Sequence, residues 1–112
     1  MTTTALSGTN DGLSSDLSGT GTREEGAATE ILDLRARIDE IDAALIALWK
    51  ERAAISQQVG ATRVASGGTR LVLSREREIL DRFRTELGAD GTQLALLILR
   101  AGRGALGASS LV

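Results

Sequence analysis

The feature that most constrains this chain is a seam of ten positions: Ile31, Leu34, Ile38, Ile41, Leu45, Leu48, Arg52, Ile55, Val59 and Thr62. Steps of three and four residues alternate along it. That spacing lines one stripe of an α-helix and, sustained this long, is a heptad pattern made to pack against another helix. No glycine or proline interrupts it before Gly60. Thr29 is placed to cap the start, Glu30 and Asp33 suit the positive end of the helix dipole, and Ser66-Gly67-Gly68 ends the run. The spacing predicts a helix over most of Thr29 to Ala65, about 55 Å long at ~1.5 Å per residue. The remaining pieces of chain are too short to cover such a helix, so it needs a partner, and a homodimer is expected.

Ser74 is placed to cap a second helix that runs to Leu87-Gly88. A third begins at Asp90, with Gln93 completing a capping-box pair, and carries the apolar run Leu94 to Leu99 until Gly102 and Gly104 end it. Trp49 and Phe83 are the two aromatic residues and there is no proline. A core of Leu, Ile, Val and Ala favours helix packing over a sandwich or barrel. The expected fold class is therefore all-α, with one long and two short helices per chain. Residues 1–28 contain fifteen Gly, Ser and Thr and few aliphatics, the composition of a disordered tail. Residues 29–107 form the expected helical domain, and 108–112 a C-terminal extension.

Cysteine and histidine are absent, which removes disulfides, thiol nucleophiles, the usual zinc ligands and imidazole acid–base chemistry. Any catalysis must be done by charge. Residues 29–107 hold twelve basic and eleven acidic side chains, a net of +1. Neither nucleic acid nor an anionic membrane is an expected partner for so neutral a domain. Eleven of the twelve cations are arginine, which fits bidentate recognition of carboxylate or phosphate and equally fits a GC-rich genome. No apolar run reaches the length of a membrane span and the N-terminus lacks the pattern of a signal peptide, so the expected location is cytoplasmic.

Arg52 occupies a seam position where leucine or isoleucine is expected. An unpaired guanidinium there would cost several kcal/mol, so it must meet an anion. That anion is either a carboxylate of the helices themselves or one belonging to a ligand. Arg63 follows eleven residues later, within about 20° of the same helical face. Arg35 stands about 25 Å from Arg52 along the axis, too far for one small ligand to touch both within a chain. Antiparallel pairing of two such helices about a midpoint near Ile46 brings Arg35 of one chain between the levels of Arg52 and Arg63 of the other, giving two shared sites per dimer. Arg75 and Glu76 open the second helix, where Glu76 also serves as ordinary dipole compensation. Gly67-Gly68 satisfies no phosphate-loop pattern and turns the chain. Trp49 beside the seam reads as packing.

Taken together, Leu34-Arg35-x-x-Ile38-Asp39, Ile41-Asp42, Leu45-Ile46-x-Leu48, Arg52-Ala53 and Arg63-x-Ala65-Ser66-Gly67-Gly68-Thr69-Arg70-Leu71-Val72-x-Ser74-Arg75-Glu76 resemble a chorismate mutase of the all-helical AroQ class. The Ala-Ser-Gly-Gly-Thr-Arg-Leu-Val and Arg-x-Gly-Arg-Gly-x-Leu-Gly runs resemble its short intracellular actinobacterial form, the delta subgroup. The resemblance covers nearly all of residues 29–107.

It implies an intertwined dimer of three-helix chains that converts chorismate to prephenate, on the shikimate route to phenylalanine and tyrosine. The reaction is pericyclic, so no cofactor, metal, nucleophile or acid–base pair is expected; the enzyme holds the reactive diaxial conformer and stabilises separating charge. By the same resemblance, Arg35 from the partner chain and Arg52 hold substrate carboxylates. Arg63 faces the ether oxygen where other members use lysine. Arg75 adds positive charge, Glu76 accepts the ring hydroxyl, and Thr69 and Val72 line the pocket from the loop. Val72 stands where others have an acidic residue. Gln93, the one glutamine of the third helix, is the counterpart for a glutamine that the wider class places near the ether oxygen. The subgroup further implies low activity alone and activation by DAHP synthase, docked partly through Arg100 to Gly107. The alternative is a non-catalytic dimerisation or regulatory module on the same scaffold.

Overall fold

A computed structural model describes residues 19–109, with side chains described to Gly104. Of the disordered tail expected over 1–28, residues 1–18 lie outside the described residues, as do residues 110–112 of the extension expected over 108–112. Three helices follow in order: α1 (Glu25–Ala65), α2 (Leu73–Leu87) and α3 (Ala89–Ser109). This is the expected all-α class. Among the described residues, no helix is long and apolar enough to cross a membrane. The chain divides into two compact units, one up to Ala44 and one from Leu45. Helix α1 contributes to both.

In the first unit α1 begins at Glu25 rather than Thr29. The Glu24 carboxylate accepts the Ala27 N–H at 2.6 Å, which satisfies one of the unpaired donors of the first turn. Thr22 Oγ1 in turn accepts the Glu24 N–H at 3.2 Å. Thr29 does not cap; its hydroxyl donates to the Glu25 carbonyl one turn earlier at 3.1 Å. Gly26, Ala27 and Ala28 are therefore helical, and Ala28 is buried. Along this part of the seam Leu34 and Ile38 remain 56% and 53% exposed.

The second unit contains the rest of α1 with α2 and α3. Helix α1 stops as expected at Ser66-Gly67-Gly68. Gly67, at φ 85, sends its N–H to the Val64 carbonyl at 3.1 Å, and Gly68 sends its own to that of Arg63 at 2.7 Å. That pair of bonds is the Schellman closure. Helix α2 starts at Leu73, with extended Val72 at the cap and no side-chain cap bond. Ser74 thus sits inside the first turn; the Val72 carbonyl accepts from Arg75 and Glu76 N–H, each at 3.1 Å. Gly88, at φ 75, ends α2 as the sequence predicted, donating to the Arg84 carbonyl at 2.8 Å.

Helix α3 starts at Ala89, so Asp90 lies within its first turn instead of capping it. It also runs through Gly102. The backbone leaves helical geometry at Gly104, where φ is 63 and ψ is −150. Gly102 is needed for proximity rather than for termination: a Cβ there would meet Ser56 Oγ of α1 at 2.5 Å. The core of this unit is small, with Ile79, Ala95 and Leu99 buried and Leu80 and Phe83 packed against them. Leu45 and Leu48 are 60% and 61% exposed, so this part of the seam is also left uncovered.

The α2–α3 hairpin closes through Gly91, which is buried and whose Cβ, if present, would overlap the Phe83 carbonyl oxygen. Alanine there adds helix propensity of about 1 kcal/mol, but the opposing atom is backbone and cannot step aside. Gly91→Ala is expected to destabilise the fold by at least about 2 kcal/mol, seen as a lower urea midpoint with an unchanged slope at fixed protein concentration.

Candidate functional site

In the second unit, α1, the 66–72 loop, α2 and the end of α3 enclose a cavity of about 260 Å³. Its apolar wall includes Ile55, Val59, Leu71, Val72, Ile79 and Leu99. Five arginines line it, Arg52, Arg63, Arg70, Arg75 and Arg103, against one carboxylate, Glu76. The lining therefore carries a formal charge of +4.

Each cation has an identifiable support. Arg52 comes from the middle of α1, where the heptad sets its face. Arg63 lies in the last turn, where a cation suits the dipole. The Arg63 carbonyl accepts from Gly68 N–H at 2.7 Å and from Ser66 Oγ at 2.9 Å, so the closure of α1 also fixes the backbone that carries this guanidinium. Arg70 reaches across the cavity rim and donates through Nη2 to the Arg103 carbonyl at 2.8 Å. It lies against buried Gly60 of α1, where a Cβ would be in ordinary van der Waals contact with Arg70 Cγ at 3.7 Å. Arg75 pairs with Glu78 at 3.3 Å on an exposed surface, where such a pair is weak. Arg103 Nη2 donates to both Glu76 oxygens, at 3.0 and 3.2 Å.

No carboxylate among the described residues pairs with Arg52. Its pKa is lowered from the ordinary arginine value, first by loss of water around the group and then by the positive charge of Arg75. The group stays protonated at any physiological pH. Its surroundings therefore hold a cation that repulsion and partial burial both disfavour, which is the condition for binding an anion.

Of the residues singled out in the sequence, Arg52, Arg63, Val72, Arg75 and Glu76 come together here. Thr69 is exposed outside the cavity and its hydroxyl donates to the Leu71 carbonyl at 2.9 Å. Gln93 is exposed and does not line it. It precedes Leu99 by six residues, which at ~100° per residue turns it about 120° away from that lining face. Arg35 belongs to the first unit, where Nη2 donates to the Gly19 carbonyl at 3.0 Å. Arg70 and Arg103 received no site role from the sequence. Both stood in runs already conspicuous, the Ser-Gly-Gly-Thr-Arg loop and the Arg-x-Gly-Arg-Gly end, but the bond that joins them spans 33 residues.

The description of the type II chorismate mutase family matches residues 34–98. The chain is 52% identical over 81 residues to the intracellular chorismate mutase of Mycolicibacterium smegmatis, covering 72% of this chain and 78% of that protein. It is 52% identical over 84 residues to the intracellular chorismate mutase of Mycobacterium tuberculosis, covering 75% and 79%. Among solved structures, a non-covalent complex of DAHP synthase and chorismate mutase from Corynebacterium glutamicum with bound transition-state analogue matches with a TM-score of 0.67 and 45% identity. That match covers 70% of this chain and 94% of the other.

A cavity with this excess of guanidinium should take up small dianions. Millimolar malate is expected to raise the melting midpoint of the wild type, less so as NaCl is added. Arg52→Leu should fold with equal or greater stability, because it removes an unpaired cation, and should lose most of the malate-induced shift in the same thermal measurement.

Proposed function

As the chain belongs to the type II chorismate mutase family and works as an isomerase of chorismate, we propose that the rearrangement to prephenate takes place in the arginine-lined cavity. The observation that carries this is the surplus of guanidinium groups around a space of about 260 Å³. Chorismate brings two carboxylates, a ring hydroxyl and an ether oxygen that gains negative charge as its bond to the ring breaks. A new carbon–carbon bond forms as that bond is lost, and the electrons circulate within the substrate. No proton is transferred, so a site with neither histidine nor cysteine is adequate.

Arg52 takes one substrate carboxylate. Pairing relieves both the desolvation and the Arg75 repulsion acting on it. Arg63 faces the ether oxygen and stabilises the charge that grows there; a preorganised donor in this role is worth about 10²–10³ in rate. Arg75 adds to the field, Glu76 accepts the ring hydroxyl and Val72 packs against the ring. With Gln93 and Thr69 outside the cavity, the ether oxygen is assigned to Arg63 alone.

The second carboxylate falls to Arg35 of a partner chain. Support comes from the seam: Leu34, Ile38, Leu45, Leu48 and Ile55 are each more than half exposed in the single chain, and fully burying such a side chain contributes about 1.5–3 kcal/mol. An antiparallel homodimer covers them and gives two shared sites. The relatives are named intracellular forms, which supports the same compartment here. The solved complex with DAHP synthase supports a partner of that kind; activation by it, through contacts at the end of α3, is part of the proposal and rests on the resemblance of the C-terminal run to the delta subgroup.

Chorismate consumption followed with and without DAHP synthase tests the reading as a whole; absence of turnover under both conditions would exclude it. Arg63→Ala is expected to cost at least about 100-fold in kcat while the dimer and its melting midpoint persist, and undiminished turnover would remove Arg63 from its assigned place. Mixing inactive Arg35→Ala and Arg63→Ala chains should restore about a quarter of wild-type activity. Random exchange makes half of the dimers mixed, and each mixed dimer has one intact site. No recovery on mixing would mean that Arg35 does not act across the interface.

A further inference from the structure

We propose that Arg103 is a positioning residue for this reaction: it holds Glu76 away from the cations that must receive the substrate carboxylates. The inference rests on the reading that this cavity binds chorismate. Its starting point is an internal conflict. Five arginines and one carboxylate line the same cavity, and Arg52 has no carboxylate partner among the described residues. A mobile Glu76 would turn to Arg52 or Arg75 and neutralise the site with its own charge. Instead, both of its oxygens are held by Arg103 Nη2, at 3.0 and 3.2 Å.

The geometry of this pair is that of a restraint rather than of the strongest available ion pair. A guanidinium meets a carboxylate best as a fork, two nitrogens to two oxygens. Here one nitrogen serves both oxygens, while Arg103 Nε is buried without a partner. The backbone has the opposite character, being fixed from several directions. Arg70 Nη2 holds the Arg103 carbonyl at 2.8 Å. Gln57 Nε2 holds the Ala101 carbonyl, two residues before it, at 3.1 Å. Gly104 just after it adopts φ 63, and a Cβ there would overlap the Gln57 side chain. Contacts from α1 and from the loop thus converge on a residue whose own side chain does one thing, engaging Glu76.

Release of Glu76 creates an internal anion that competes with substrate. The effect should appear in KM rather than in kcat, because bound chorismate displaces the competitor before the bond-breaking step. Arg103→Met is expected to raise KM for chorismate about tenfold, the scale of one charge-assisted hydrogen bond lost to competition, with kcat changed far less. Arg103→Lys, which keeps the charge, should recover most of the affinity. Adding Glu76→Gln to Arg103→Met removes the competitor, so KM should return to the value of Glu76→Gln alone. A role confined to stability would give no such recovery. An unchanged KM in Arg103→Met, or KM effects that multiply in the double variant, would overturn the proposal. Should Arg103→Met fail to fold, Arg103→Gln is measured by the same criteria. Full turnover in both Arg52→Leu and Arg63→Ala would sink the site itself, whereas loss in those two with a normal KM in the Arg103 variants would sink only the restraint.

Discussion

The cavity depends on an imbalance of charge that the fold does not resolve internally. Arg52, Arg63, Arg70, Arg75 and Arg103 surround Glu76, and Glu76 is already engaged by Arg103. Arg75 also meets Glu78 at 3.3 Å, but on exposed helix surface. Such a surface pair contributes little to stability. The remaining repulsion is relieved when a dianion enters, so ligand binding and stability are linked: at a concentration one hundred times its Kd, a ligand adds about 2.7 kcal/mol.

Holding such a cluster together requires a backbone that does not yield. Closure of α1 by Gly67 and Gly68 fixes Arg63, extended Val72 launches α2 with Arg75 and Glu76 in its first turn, and the approach of Gly102 to Ser56 brings the end of α3 beside α1. The apolar side of this scaffold is thin by comparison. Ile79, Ala95 and Leu99 make a small core, and small domains bury proportionally less of their surface than large ones. In the proposed dimer the seam supplies what the single chain lacks, and the same antiparallel pairing delivers Arg35. One requirement, covering α1, then accounts for both the stability of the fold and the completion of the site.

What the sequence revealed followed the range of the interactions involved. The steps of three and four residues along α1, the stops at Gly67-Gly68 and Gly88, and a seam arginine in need of an anion are all local patterns, and each has its counterpart in the structure. So does the gathering of Arg52, Arg63, Val72, Arg75 and Glu76, because four of them stand at the two ends of a short loop. The structure departs from the local pattern where an unusual cap or a distant segment decides the outcome. Glutamate is an uncommon cap, and Glu24 takes the place that Thr29 would fill by residue type. Ser74 looked like a cap because the carbonyl that serves α2 belongs to apolar Val72. Gly102 looked like a terminator because its contact, Ser56, is on another helix. Arg70 and Arg103 were missed as lining for the same reason, since the bond between them closes a long stretch of chain.

Arg52 shows how stability and function oppose one another at a single position. The heptad would be more regular with leucine there, and replacing an unpaired cation by a matching apolar side chain is generally neutral or stabilising. Retaining arginine leaves a partly desolvated charge beside Arg75, useful only when an anion arrives. In the proposed site the same logic explains why proton carriers can be dispensed with. In a rearrangement whose electrons stay within the substrate, what must be supplied is a fixed positive potential where oxygen becomes negative. A guanidinium supplies it permanently, with planar donors and no titration in the physiological range. Its position must then come from the backbone. For Arg63 that is the C-terminal closure of α1, where the carbonyl of the arginine itself accepts the bonds from Ser66 and Gly68 that end the helix.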